Sequence, residues 1–148
     1  MTARSTKPQS PDSLLLDTHV MVWLLDGSAR ISGATYARIE QAADRDRLFV
    51  SAITPWEIAM LVAKGRLRLG RDVADWLDAA LGLPGIHVEP LSTAIAVAST
   101  RLPWEVHADP ADRILLATAR HRDATIITAA RQMLAYGEQG FVKCLAPH

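Results

Sequence analysis

Residues 14–26, LLLDTHVMVWLLD, place three consecutive leucines before an acid, and an apolar stretch of helical length after it. A run of apolar residues with no polar alternation fits a strand buried on both faces, so the segment reads as a strand, Asp17, then a helix. Leu48-Phe49-Val50 and Thr125-Ile126-Ile127 have the same character, and Ile86 to Glu89 and Phe141 to Leu145 are further strand candidates. Helical patterns lie between them: residues 32–46, Thr54 to Lys64 stopping at Gly65, 72–81, 92–101 ended by Pro103, 109–121 and a short one over 129–135. Short apolar strands alternating with helices predict an α/β domain of three layers, α/β/α, around a mostly parallel sheet. In such sheets, functional groups gather beyond the carboxyl ends of the strands, where the strand order reverses.

Residues 1–13, MTARSTKPQSPDS, are rich in Ser and Pro and read as a flexible leader before a single domain over 14–148. No apolar signal core follows, because Asp17 and His19 interrupt it, and no stretch approaches the roughly 18–20 apolar residues of a membrane span. A cytoplasmic protein without membrane attachment is expected. Cys144 is the lone cysteine, which excludes an internal disulfide and a cysteine-based zinc site. The formal net charge is zero, so any contact with nucleic acid has to be local.

The acids are placed with more purpose than the overall charge. Asp17 follows the first strand, Glu57 lies early in the helix after the second, and Asp109 and Asp112 share one side of a helix's first turn. Each has an ordinary explanation as a cap. Thr54-Pro55-Trp56-Glu57 matches a capping box with Thr54 as N-cap, and Asp109 has the form of an N-cap for the helix that begins at Pro110. Yet these helix starts all fall on one sheet edge, where capping acids crowd together. Crowded carboxylates repel one another unless a cation neutralises them, and oxygen-only ligands suit magnesium or manganese.

LLLDTHVMVWLL, SAITPWEIAMLVAKGRLRL, LPWEVHADPADRILLATAR and TIITAARQMLAYG together resemble the successive signature blocks of PIN-domain ribonucleases, specifically VapC-type toxins of bacterial toxin–antitoxin pairs. The resemblance implies a PIN-like fold and a Mg²⁺-dependent endoribonuclease, with Mn²⁺ as an alternative ion. It also implies a cognate VapB-type antitoxin as partner, an RNA substrate and a homodimer. Carried onto this sequence, Asp17, Glu57 and Asp112 are the catalytic, metal-holding acids, and Asp109 either joins them as a ligand or caps its helix. The family usually has a further acid in a Thr-Ala-Asp block, where this chain reads Thr128-Ala129-Ala130. Three explanations stand: Asp109 covers the loss, a single metal is bound with reduced activity, or the chain is a non-catalytic PIN-fold protein that keeps antitoxin or RNA binding.

Thr18, Arg113 and Thr128 are candidate substrate contacts, Thr18 and Thr128 with helix capping as the competing role. His19 and His107 lack zinc spacing and read as structural. Lys64, Arg66, Arg68 and Arg71, with Arg113, Arg120, Arg122 and Arg131 placed near the acidic edge, are candidates for phosphate contact or an ordinary solvated face. Trp23, Trp56, Trp76 and Trp104 are expected to fill the core or an interface.

Overall fold

The computed structural model describes residues 12–104 and 109–148. Most of the leader and His107 lie outside the described residues. Strand β1 (Leu14–Leu16) is the sheet's centre, and its three leucines are all buried. In chain order there follow α1 (Thr18–Leu25), α2 (Gly33–Asp44), β2 (Leu48–Ser51), α3 (Ile53–Ala63), α4 (Val73–Leu81), β3 (Ile86–Glu89) and α5 (Thr93–Ser99). The chain then forms α6 (Pro110–Arg122), β4 (Thr125–Ile127), α7 (Arg131–Glu138) and β5 (Lys143–Leu145).

The five strands pair in the order β3-β2-β1-β4-β5, and every pairing is parallel. Side chains alternate across a strand with a period of two, so each of the three central strands feeds two cores. Leu14, Leu16, Leu48, Val50 and Ile127 face one side, packed with Val20 and Met21 of α1, Ile39 of α2 and Trp76 of α4. Leu15, Phe49 and Ile126 face the other, against Leu115 and Leu116 of α6 and Met133 and Tyr136 of α7. The three-layer α/β/α expectation therefore holds, with the sheet fully parallel.

Element ends differ from expectation where side chains compete with the backbone. Helix α5 stops at Ser99, because the hydroxyls of Ser99 and Thr100 donate to the carbonyls of Ala96 and Val97. Helix α7 continues through Gly137, where a Cβ would stand 2.9 Å from the Cys144 Cβ, so glycine there permits the close packing of α7 on β5. Among the described residues no helix is long and apolar enough to cross a membrane.

Candidate metal centre

The sheet order reverses between β1 and β4, and the crevice at their carboxyl ends is where a ligand site is expected. Asp17 leaves β1 there and is the N-cap of α1, its Oδ1 accepting from the Thr18 N–H at 2.6 Å. Thr128 leaves β4 beside it, and its hydroxyl donates to Asp17 Oδ2 at 2.6 Å. The Thr128 Oγ1 in turn accepts from the Ala130 N–H at 3.0 Å. Ala130 itself is the N-cap of α7 and supplies no side-chain cap.

Glu57 arrives from α3, and the structure removes the capping explanation for it. The helix begins at Ile53 rather than after Thr54, with Ala52 at the N-cap position and no side-chain cap bond from it. The Ser51 hydroxyl at the end of β2 accepts the Ile53 N–H at 3.1 Å instead. Glu57 therefore sits a full turn inside α3. Its Oε1 accepts from the Thr18 hydroxyl at 2.5 Å. The predicted capping box fails because the strand end provides the cap that the Thr-Pro-Trp-Glu spacing mimics.

Asp109 and Asp112 come from the start of α6. Asp109 is its N-cap, with Oδ1 accepting the Ala111 N–H at 2.9 Å, and Asp112 lies in the first turn. Carboxylate oxygens of Glu57, Asp109 and Asp112 all lie within 4.8 Å of one another. The cap and ligand alternatives for Asp109 are thus compatible in one side chain. Asp17 lies outside that triad of atoms, but its charge acts on two of its members, raising the pKa of Glu57 and of Asp112.

Burial is the first cause of every shift here. It pushes Asp112 from 3.8 up to about 7, helped by the charges of Asp109, Asp17 and Glu57. Burial also raises Glu57 and Asp17, against the lowering effect of the hydrogen bonds from Thr18 and Thr128 respectively. His19 is exposed, and its positive form lowers both of these acids. An oxygen-only set of mutually repelling carboxylates fits a hard divalent cation, and the donor chemistry is that of magnesium or manganese.

Three candidate substrate contacts have other partners. Thr18 and Thr128 are 1% and 0% exposed, and their hydroxyls are committed to Glu57 and Asp17. They position carboxylates. Arg113 donates from Nε to the Ser99 carbonyl at 3.1 Å, bracing α6 against α5.

Other basic and aromatic residues also settle differently. Arg120 and Arg122 lie in the last turn of α6, about 12–15 Å along the helix from Asp112 at 1.5 Å per residue, so they are remote from the acidic edge. Arg122 pairs with Glu89 and its guanidinium lies over the Phe49 ring. Lys64, Arg66, Arg68 and Arg71 are all exposed. Trp76 is buried and Trp23 packs partly buried against the same core, whereas Trp56 and Trp104 are 56% and 53% exposed and do not fill it.

The sequence and the fold both match known proteins. The PIN domain family model matches residues 14–138. The chain is 34% identical over 125 residues to Ribonuclease VapC22 of Mycobacterium tuberculosis (strain ATCC 25618 / H37Rv), covering 84% of this chain and 92% of that protein. In fold it resembles a chain of VapBC2 from Rickettsia felis, solved bound to a promoter DNA fragment, with a TM-score of 0.64 and 15% identity over 90% of this chain and 97% of that one. A chain of FitAcB from Neisseria gonorrhoeae matches with a TM-score of 0.61 and 21% identity over the same shares of the two chains.

Proposed function

The chain belongs to the PIN domain family, and on that premise we propose that it is a divalent-metal-dependent endoribonuclease, the toxin of a toxin–antitoxin pair. The observation that carries this reading is the convergence of Glu57, Asp109 and Asp112 within 4.8 Å beside a buried, doubly hydrogen-bonded Asp17. Helix capping accounts for Asp109 and for one oxygen of Asp17, and leaves Glu57 and Asp112 unexplained. The ribonuclease name of the 34%-identical relative supports the activity class.

Glu57, Asp109, Asp112 and Asp17 would hold the ion, which supplies a lowered pKa to an attacking water and stabilises charge on the phosphoryl group. The remaining work falls to the chain. Thr18 and Thr128 fix the carboxylates of Glu57 and Asp17 before any ion or RNA arrives, so less reorganisation is needed on binding. Burial and the neighbouring carboxylates raise the Asp112 pKa to about 7, so near neutral pH the metal-free cluster is divided between protonated and ionised forms, and a bound cation would favour the ionised one. No side chain is required as nucleophile.

The partner in this reading is a small VapB-type antitoxin that restrains a homodimeric toxin in the cytoplasm. Structural likeness to a chain of the VapBC2 complex supports the choice of partner class. Ala130 favours a second reading, a PIN-fold protein that binds antitoxin or RNA without cutting, since the start of α7 offers no carboxylate to the centre. Incubating metal-stripped protein with structured RNA, then adding Mg²⁺ or Mn²⁺, separates the two. The enzyme reading expects metal-dependent cleavage that Asp17→Asn abolishes; binding without cleavage supports the second reading, and equal residual cleavage by both proteins contradicts the first.

A further inference from the structure

Trp104 is 53% exposed and held at φ 64°, a backbone region that bulky side chains rarely adopt. Its ring rests at the rim of an aromatic cluster, 6.1 Å between centroids from both Tyr136 and Phe141. The Tyr136 hydroxyl is buried and has no hydrogen-bond partner among the described residues. A left-handed backbone thus holds a half-exposed indole against this cluster.

Beside Trp104, Leu102 and Pro103 lead into a groove of about 410 Å³ between α5 and α6. Arg101, Arg120 and His121 line this groove, and among the described residues no acid does. Arg101 forms no ion pair among the described residues, and Arg120 is braced by donating to the Phe141 carbonyl in the aromatic cluster. In a chain of zero net charge, a groove whose described lining holds two arginines and no acid fits a polyanion. An exposed indole beside it fits the face of an unpaired base. Asp109 of the carboxylate centre follows five positions after Trp104 in the chain, which limits their separation to at most about 18 Å.

Resting on the ribonuclease reading, we propose that Trp104 and this groove form a subsite for unpaired RNA, with Trp104 stacking a base and Arg101 and Arg120 contacting phosphates away from the scissile one. Trp104 acts in binding and register, and has no part in the chemical step.

The test is fluorescence anisotropy with a labelled, unstructured RNA oligonucleotide, Ca²⁺ replacing Mg²⁺, alongside Mg²⁺-dependent cleavage. Trp104→Leu is expected to weaken binding about tenfold, and to raise KM by a similar factor with kcat held, while Trp104→Phe stays within about threefold of wild type. An RNA of the same length without bases should bind wild type no better than it binds the leucine variant. A leucine variant with a native melting curve and native RNA affinity overturns the subsite, as does a phenylalanine variant as damaged as leucine. Full RNA affinity with lost capture of a VapB-type antitoxin would make Trp104 a protein contact and also overturn it. Wild type that neither binds nor cuts RNA overturns the ribonuclease reading with it, whereas cleavage indifferent to Trp104 removes this subsite alone.

Discussion

The Thr128 hydroxyl donates to Asp17 Oδ2 over 2.6 Å, joining residues 111 positions apart across the point where the sheet order reverses. Thr128 is wholly buried, so this bond forms in low dielectric and fixes the direction of a carboxylate that burial alone would disfavour. With the Thr18 hydroxyl on Glu57, it makes two threonines the braces of the acidic centre.

Replacing Thr128 by Val keeps the shape and removes the donor. Metal affinity or cleavage rate is expected to fall about 10- to 100-fold, the usual cost of losing a partner of a metal ligand. Thr128→Ser restores the hydroxyl and should recover most of it. Calorimetric titration with Mn²⁺ checks this, and an affinity unchanged in the valine variant would contradict the bracing role.

Asp109 serves as a cap and as a member of the carboxylate triad, and two substitutions separate these roles. Asn caps about as well as Asp, so Asp109→Asn should leave thermal stability nearly unchanged while weakening metal binding. Asp109→Ala should lose both, costing about 1 kcal/mol of stability besides. Melting curves read beside metal titrations give the answer. Equal metal affinity in wild type and Asp109→Asn would assign Asp109 to capping alone.

Ala130 leaves the start of α7 without a side-chain cap, and its N–H shares the Thr128 oxygen that holds Asp17. Ala130→Asp adds a cap worth about 1 kcal/mol, and also adds a negative charge close to Asp17. The variant is expected to bind Mg²⁺ or Mn²⁺ more tightly and to cut RNA faster. In chelator, repulsion should offset the gain from the cap. Weaker metal binding than wild type would show that residue 130 does not face the centre.

The raised acids carry a pH signature. Asp112 moves from 3.8 to about 7, so between those values the metal-free folded chain keeps a proton that the unfolded chain has released. Folding then binds protons, and stability declines as pH rises through that window; Asp17 and Glu57 shift in the same direction. Metal-free protein should melt higher near pH 5 than near pH 8, and Mg²⁺ should restore the loss at the higher pH. In Asp112→Asn the slope should flatten. A melting temperature that climbs across this range in chelator, equally in both proteins, would contradict the repulsive cluster.

The sheet was legible because a strand buried on both faces leaves an unbroken apolar run, and Leu14–Leu16, Leu48–Val50 and Thr125–Ile127 are such runs. Asp17, Glu57, Asp109 and Asp112 could be proposed as one cluster since a parallel sheet brings the ends of its strands to one edge. What the hydroxyls do was not legible. Thr18 and Thr128 follow strands in sequence, but which atom each hydroxyl reaches depends on the β1–β4 pairing and on where α3 begins. The start of α3 was itself hidden by a spacing that imitates a capping box while Ser51, two residues earlier than the helix, supplies the cap. Arg120 and Arg122 were misplaced for a related reason: α6 runs away from the edge at which Asp112 starts it.

Whether the four carboxylates form a metal centre is read most directly from a bound ion. Crystals of the protein soaked in Mn²⁺ and measured for anomalous scattering should show an ion bonded to oxygens of Glu57, Asp112 and Asp17 or Asp109, at about 2.0–2.2 Å as for hard divalent cations. Soaked crystals with no anomalous peak among these four acids, or with the only peak elsewhere, would contradict it.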